Sequence, residues 1–546
     1  MSHAQTRTAQ TAPTRTTPTR TALTRTAPTR TAPPHRTARR LLRAACALGA
    51  AATLALTGTQ AAHADPGPHR TPGTERVSVG LGQAQPDGAS RAAGLSADGR
   101  YAVFTSAATN LVPGDTNGKS DVFVRDLRTG RTERVDTGPD GAQADGASFE
   151  AAISADGRYV AFSSSATNLA PGAGLGYQDV YVHDRRTGET TLVSVGEEPG
   201  EPQKDRSSGH PSISRDGRYI AFQSNRSDLA PGTVTWQGAN IYVHDLRTGE
   251  NRLVSTGADG KEANGSSASP VISADGGTVA FISKATNIIA PGQPGALSPD
   301  AATRLGAESD RESDEQFVHD SLQAPGAPSA TTSARTTASP GTTASPRTTG
   351  SPGSADHPQL LKPHLYPLYV RDLRSEETTL ASPDGKNGWR GADYPSLSAD
   401  GRYAVYSAWV QHGDNWPDHH FEVYVRDLAE GTETLVSAGL PGTTTTGDSL
   451  NGRMTADGRW VYFDSTAANL VPGDTNGAGD VFRRDLRTGR TERVSLAADG
   501  SQTAGASYDP YVDARGTTVV FTSEDGTLVP GDTNRAPDVF ARRLPR

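Results

Sequence analysis

Residues 154–194 read SADGRYVAFSSSATNLAPGAGLGYQDVYVHDRRTGETTLVS. Two runs in this phrase, 159–164 and 179–185, are rich in Val, Tyr and Phe and carry the apolar patterning of strands. Asp156-Gly157 and Thr187-Gly188 supply the positive-φ residues that tight hairpins require. Ile153 ends an apolar segment before the first turn, and 190–194 begins another after the second. The phrase is therefore four strands joined as a meander.

The phrase recurs along the chain. Its turn aspartate stands at Asp98, Asp156, Asp216, Asp275, Asp400 and Asp457, and a degenerate seventh copy reads Asp513-Ala514-Arg515-Gly516. The interval is about sixty residues throughout, except between Asp275 and Asp400, where a copy carries an insertion. In the fifth copy the second and third strands are expected at 403–408 and 422–428. Four-strand units at this period are the blades of a β-propeller. The expected fold is all-β, with seven blades rather than six.

Ring closure is written at the two ends. The last copy reaches Arg546 just after its third strand, 538–544, without a fourth. Thr74-Glu75-Arg76-Val77-Ser78 repeats Thr491–Ser495 residue for residue, an orphan fourth strand near the other end. Set beside 538–544, it completes blade seven and removes an open sheet edge. A solenoid would instead need capping repeats, and none is visible.

Residues 1–64 read as a leader. A Thr/Arg/Ala/Pro tract runs to residue 35; Arg39, Arg40 and Arg43 precede an apolar run from Ala44 to Leu56; Ala62-His63-Ala64 follows as a small-x-small cleavage pattern. This is the layout of an export signal, too short to span a bilayer, with Arg39-Arg40 permitting a twin-arginine route beside ordinary secretion. The expected location is extracellular or at the cell envelope. Arg43 disfavours reading Cys46 as a lipidation site. The whole chain has a formal charge of −8. Its leader holds nine arginines and no acidic residue, which leaves 44 basic against 61 acidic side chains, a balance near −17. Such a charge argues against nucleic acid or an anionic membrane as partner. No segment after the leader is apolar enough to cross a membrane, and residues 65–546 are expected to form one monomeric propeller domain.

The insertion, roughly 293–365, holds an acidic patch from Glu308 to Glu315 and a Ser/Thr/Pro/Ala/Gly tract from Ala324 to Pro358. That composition cannot bury enough surface to fold, so a largely disordered loop on one rim is expected.

SADGRYVAFSSSATNL followed by DVYVHDRRTGET resembles the WD40-like (PD40) repeats of TolB-type propellers, over about 65–292 and 366–546. The resemblance implies a protein-binding module of the cell envelope. Other propellers of this type accompany prolyl-oligopeptidase-type hydrolase domains, and a few are similar to polysaccharide lyases. The chain has neither a Gly-x-Ser-x-Gly elbow nor room for a hydrolase domain. TolB-type propellers usually have six blades, so a count of seven departs from the pattern.

Three sets of residues are candidates for chemistry. The first is a calcium loop: Asp115, Asn117 and Asp121, repeated as Asp474, Asn476 and Asp480, and as Asp532, Asn534 and Asp538. Alternating oxygen ligands with a later carboxylate suit Ca²⁺, and a polar Asx turn explains the same residues. Blades two and three lack the pattern, which favours the turn. No cofactor is required, and calcium is the one considered. The second is the position four residues before the motif serine, at the expected start of each innermost strand: Ala92, Glu150, His210, Ser269, Tyr394, Asn451 and Asp509. Chemistry that varies on a repeated scaffold suits a ligand site at the channel mouth, and a solvated funnel explains it as well. Glu150, His210, Tyr394, Asn451 and Asp509 are the expected ligand-binding residues. The third is the blade-five loop, with Trp409, His412, Asp414, Trp416, Asp418, His419 and His420, read as a sugar or metal site or as a plain surface loop. His183 and His244 stand where other copies have Arg and read as framework.

No catalytic residue is assigned. The leading expectation is a non-catalytic module that binds a protein or glycan. An extracellular polysaccharide lyase or hydrolase working at the channel mouth is one alternative, and a calcium-stabilised structural envelope component is the other.

Overall fold

The computed structural model describes residues 73–172, 177–196, 207–231, 238–309, 366–383, 390–411 and 419–545. These residues form seven four-stranded antiparallel sheets. Blade one is Ser90–Leu95, Tyr101–Ser106, Asp121–Asp126 and Thr132–Arg134, and the later blades repeat it. Each innermost strand packs against those of both neighbours, and the last, Ser507–Val512, packs against the first, Ser90–Leu95. The protein is a seven-bladed β-propeller. Among the described residues no helix is long and apolar enough to cross a membrane.

Local chemistry explains the blade. At the first hairpin the Ser154 hydroxyl donates to Asp156 Oδ1 at 2.7 Å and accepts the Tyr159 N–H at 2.9 Å. The same pair of bonds forms around Ser96, Ser214 and Ser398. Gly157 serves two needs there. Its φ is +72°, and a Cβ would stand 2.2 Å from Cδ2 of Tyr101 in the preceding blade. Gly217 meets Tyr159 in the same way. The turn glycine thus provides the space in which adjacent blades meet.

Closure uses the bonds of an ordinary fourth strand. Thr74, Glu75 and Arg76 pair with Arg542, Ala541 and Phe540. Ser78 Oγ donates to Asp538 Oδ1 at 2.7 Å and accepts the Val539 N–H at 3.0 Å. In blade six, Ser495 bonds Asp480 and Val481 with matching geometry, 2.6 and 3.0 Å. Arg542 donates to Thr74 Oγ1 as Arg484 does to Thr491. His183 and His244 occupy that arginine's place, facing Thr190 and Asn251 at 2.9 Å. Burial pushes both imidazoles below their ordinary pKa, so they are neutral spacers.

Two segments differ from the sequence reading. In blade five the central strands run on to Tyr403–Gln411 and His419–Asp427, three residues longer at each side of the hairpin than expected. Ala392 and Ala408 pair there, where other blades pair two bonded serines such as Ser449 and Ser465. The insertion is ordered at its start. Pro299–Ser309 is an α-helix whose Ala301 and Leu305 are buried on the blade-four core. The Ser298 hydroxyl accepts the Ala301 N–H at 3.1 Å, with Pro299 next, a helix-start signal that the composition of the insertion obscured. Residues 310–365, most of the expected disordered loop, lie outside the described residues.

The two roles of the turn glycine separate by substitution. Gly188 has φ +76°, and a Cβ placed there would meet nothing within 4 Å. Gly188→Ala should cost about 1–2 kcal/mol, the left-handed backbone penalty. Gly157→Ala should cost about 1–3 kcal/mol more, from overlap with the Tyr101 ring. Equal denaturant midpoints would show that the ring does not confine this glycine.

Candidate functional site

The divergent ring residues are not at the start of the innermost strands. They are the third residue of each, at a β-bulge where the ladder register shifts. Glu150, His210, Ser269, Tyr394, Asn451 and Asp509 all have positive φ, between 39° and 56°. Ala92 is the exception, pairing regularly with Phe104 before the shift. Non-glycine residues avoid this region, and bulges redirect side chains, so six repeats hold one strained conformation at one level of the ring.

In four blades the backbone N–H at this position donates to a side chain of the preceding blade. His210 N–H donates to Glu150 Oε2 at 2.8 Å, Ser269 to Gln223 Oε1 at 3.3 Å, Asp509 to Asp464 Oδ1 at 3.2 Å, and Ala92 to Thr522 Oγ1 at 3.0 Å. Gln223, Asp464 and Thr522 are the fifth residues of their second strands. Sequence reading missed this second ring. Its signal was present, because Phe-x-Ser varies as Thr105, Ser163, Gln223, Ile282, Asp464 and Thr522.

The structure divides the expected ligand set into two groups. In blades two and three, His210 Nδ1 lies 3.2 Å from Glu150 Oε1, and Ser163 donates to Glu150 Oε2 at 3.0 Å. His210 Nε2 is buried without a hydrogen-bond partner among the described residues. On the other side, Asn451 Nδ2 donates to Asp464 Oδ1 at 2.9 Å and approaches Asp509 Oδ1 at 3.3 Å. Arg91 Nε donates to Asp509 Oδ2 at 2.6 Å. The Tyr394 phenol lies within the field of Asp393, Asp509 and Asp464, and burial pushes its pKa far above the ordinary value. Burial, then the charge of Asp509, pushes the Asp464 carboxyl up to about 7.

The nine loop residues considered for calcium surround a guanidinium. Arg134 Nη1 lies 3.6 Å from Asp115 and 3.4 Å from Asp121. Arg493 approaches Asp474 at 3.1 Å and Asp480 at 3.4 Å; Arg76 approaches Asp532 at 2.9 Å and Asp538 at 3.4 Å. Asn117, Asn476 and Asn534 turn amide hydrogens, not oxygens, toward Asp121, Asp480 and Asp538. The positive charge beside these carboxylates is supplied by the chain. Gln143, Gln502 and Gln85 of the following blade donate to Asp115, Asp474 and Asp532, so the loop joins blades. The sequence carried the clue. Arginine faces Phe123, Phe482 and Phe540 only where the loop is present; elsewhere Leu192, Leu253, Leu380 and Leu435 face tyrosines.

In blade five, Trp409, His419 and His420 lie on the extended strands rather than in a loop, and Trp409 packs edge-on against Phe421 at 5.0 Å. His412, Asp414, Trp416 and Asp418 lie outside the described residues. A polar cleft of about 430 Å³ follows the closure seam between Arg76, Gln83, Arg125 and Arg128, and includes none of the ring residues.

No protein-family model matches the chain, and no curated protein matches it. Solved structures do. An oligogalacturonate lyase in complex with manganese is 12% identical, with TM-score 0.44, over 87% of this chain and 93% of that one. The β-propeller domain of the Trilobed protease from Pyrococcus furiosus is 11% identical, with TM-score 0.42, over 83% and 93%. TolB from Acinetobacter baumannii is 12% identical, with TM-score 0.30, over 82% of each chain. At such identities the likeness concerns the propeller fold alone.

Two outcomes test these assignments. Arg493→Ala leaves two buried carboxylates facing each other and should cost about 3–5 kcal/mol in chemical denaturation, while Ca²⁺ added after EDTA should leave the wild-type melt unchanged. A calcium-dependent rise in Tm would return the loops to metal binding. For Asp464 the folded value lies above the ordinary 3.8, so its stabilising proton is fully held below pH 3.8 and lost as pH rises through about 7. Asp464→Asn keeps an acceptor for both donors, and should raise Tm more at pH 8 than at pH 5. A variant less stable than wild type at pH 8 would refute the raised value.

Proposed function

We propose that the chain is exported and acts as a non-catalytic binding module, engaging a glycan or a protein of the envelope or extracellular space through its inner ring. One observation carries this reading. The third residue of the innermost strand changes chemistry from blade to blade, and in six of the seven blades it is held in a left-handed bulge that a plain framework strand would not need. Framework positions do the opposite: the Ser-Asp turn and the Arg-Asp pairs repeat from blade to blade. The acidic balance of the exported part suits a neutral or basic ligand, and the ring supplies carboxylate, amide, imidazole and phenol groups that recognise hydroxyl-rich ligands.

A second reading has one observation behind it. His210 Nδ1 stands 3.2 Å from Glu150 Oε1 and Nε2 has no partner among the described residues, so an imidazole and a carboxylate, the groups a general base uses, stand side by side. It would make the protein an enzyme acting on polysaccharide.

One experiment separates the two. Residues 65–546 are screened on a panel of bacterial and plant polysaccharides, with binding measured alongside release of reducing ends. Retention of one glycan class, at least about tenfold weaker in Glu150→Ala/His210→Ala and without new reducing ends, is the expected result. Product release abolished by His210→Ala would establish the enzyme instead. Binding that the double variant retains in full would remove the ring from function.

A further inference from the structure

We propose that the Tyr394–Asn451–Asp464 sector of the inner ring is a recognition site for a primary ammonium group, carried by an amino sugar or an alkylamine. The inference rests on the ring being the binding surface, and names the chemistry of its blade-five to blade-seven side.

Hydrogen-bond accounting leads there. Asp464 Oδ1 already accepts from Asn451 Nδ2 and from the Asp509 N–H, and no bond reaches Oδ2 from the described residues. Asn451 spends its amide hydrogens on Asp464 and Asp509, leaving its carbonyl oxygen. Reversing the amide would set that oxygen against two carboxylates, so the network holds its orientation. Arg91, the cation of this sector, is committed to Asp509 at 2.6 Å. The Tyr394 hydroxyl bonds none of the described residues. The open capacity is therefore almost all acceptor, beside a carboxyl that lacks a cation of its own among the described residues.

Ser407 is an independent sign. It is fully buried, and its hydroxyl has no hydrogen-bond partner among the described residues. It holds the fifth position of the second strand in blade five, paired with Asp393. From that position Gln223, Asp464 and Thr522 each accept the N–H of the third residue of the next blade's innermost strand, and for Ser407 the residue at that place is Asn451. An unpartnered buried hydroxyl at this position has its lone pairs open to a donor. An ammonium has three donors and no acceptor, and Asp464, Asn451, Tyr394 and Ser407 offer what it needs.

Proton and ammonium compete for Asp464. Burial and then the charge of Asp509, opposed by Arg91, leave Asp464 holding its proton to about neutral pH, with the Tyr394 phenol in its field. Amine binding should therefore tighten from pH 5.5 to pH 8.

The test is calorimetric titration of residues 65–546 with cadaverine, with 1,5-pentanediol as the uncharged isostere, and with glucosamine against glucose. The expected result is that at least one amine binds about tenfold or more tightly than its uncharged partner at pH 8, and that the preference disappears at pH 5.5. Asp464→Asn should remove the preference, Ser407→Ala should reduce it, and Lys261→Ala, an exposed side chain outside the ring, should leave it intact. Cadaverine without glucosamine would assign the ammonium to an alkylamine, and glucosamine alone would assign it to an amino sugar. Equal affinity for amine and neutral partner, or an amine preference that survives in Asp464→Asn, overturns the proposal. Polysaccharide binding still lost in Glu150→Ala/His210→Ala would then show that the ring binds ligand without an ammonium site.

Discussion

The structure depends on a three-residue strand that precedes blade one in sequence and completes blade seven. Each blade buries both faces against neighbours, so a propeller with an open seam exposes two hydrophobic faces as well as one sheet edge. Thr74–Arg76 prevents this without a covalent bond, since Cys46 is the chain's one cysteine. Its strength lies in buried polar groups. Asp538 is wholly buried and raised to about 6 by desolvation, against which Ser78, Arg76 and Asn534 all act. Gln85, from the loop just beyond the closing strand, adds a 2.7 Å bond to Asp532. Closure is a polar lock set into an apolar seam, and breaking one member leaves the rest unpaired.

Two interchangeable sets of residues build the outer part of the blades. One combines phenylalanine on the third strand, arginine opposite it, and an Asp-x-Asn loop that the arginine neutralises. The other replaces them with tyrosine and leucine, and in blades two and three the tyrosine hydroxyl bonds a loop carbonyl, Tyr181 with Ala166 and Tyr242 with Arg226. The sets do not mix, for a physical reason. An arginine without its two carboxylates would be a buried unpaired charge, and carboxylates without arginine would repel each other. The chain therefore exchanges whole sets between blades and keeps the same backbone.

The inner ring follows the opposite logic. Turns and closure bonds repeat from blade to blade, whereas the ring keeps positive-φ side chains of differing chemistry and a carboxyl near neutral pKa. Each departs from what stability alone would select, and such departures gather at sites kept for function. Their distribution is uneven. Glu150 and His210 form one pair, while Tyr394, Asn451, Asp464 and Asp509 share one network, so the disc presents two chemically distinct sides to whatever enters it.

Blade number, strand order and closure were legible in the amino-acid sequence, because hairpin turns and period-2 strands are local and seven copies average out the noise of any one. The identity of the ring was legible too, since residues that differ on a repeated scaffold stand out. The sequence alone could not show that the third residue of the innermost strand is a left-handed bulge, because a bulge is a property of two paired strands and not of one. Nor could it show that Arg134, Arg493 and Arg76 stand among the loop carboxylates, or that Asp464 reaches Asp509 across a blade boundary. Those contacts depend on how neighbouring sheets twist and meet, and only the closed ring sets that distance. Local pattern determined the blades; their packing around one axis decided which carboxylates have a cation and which do not.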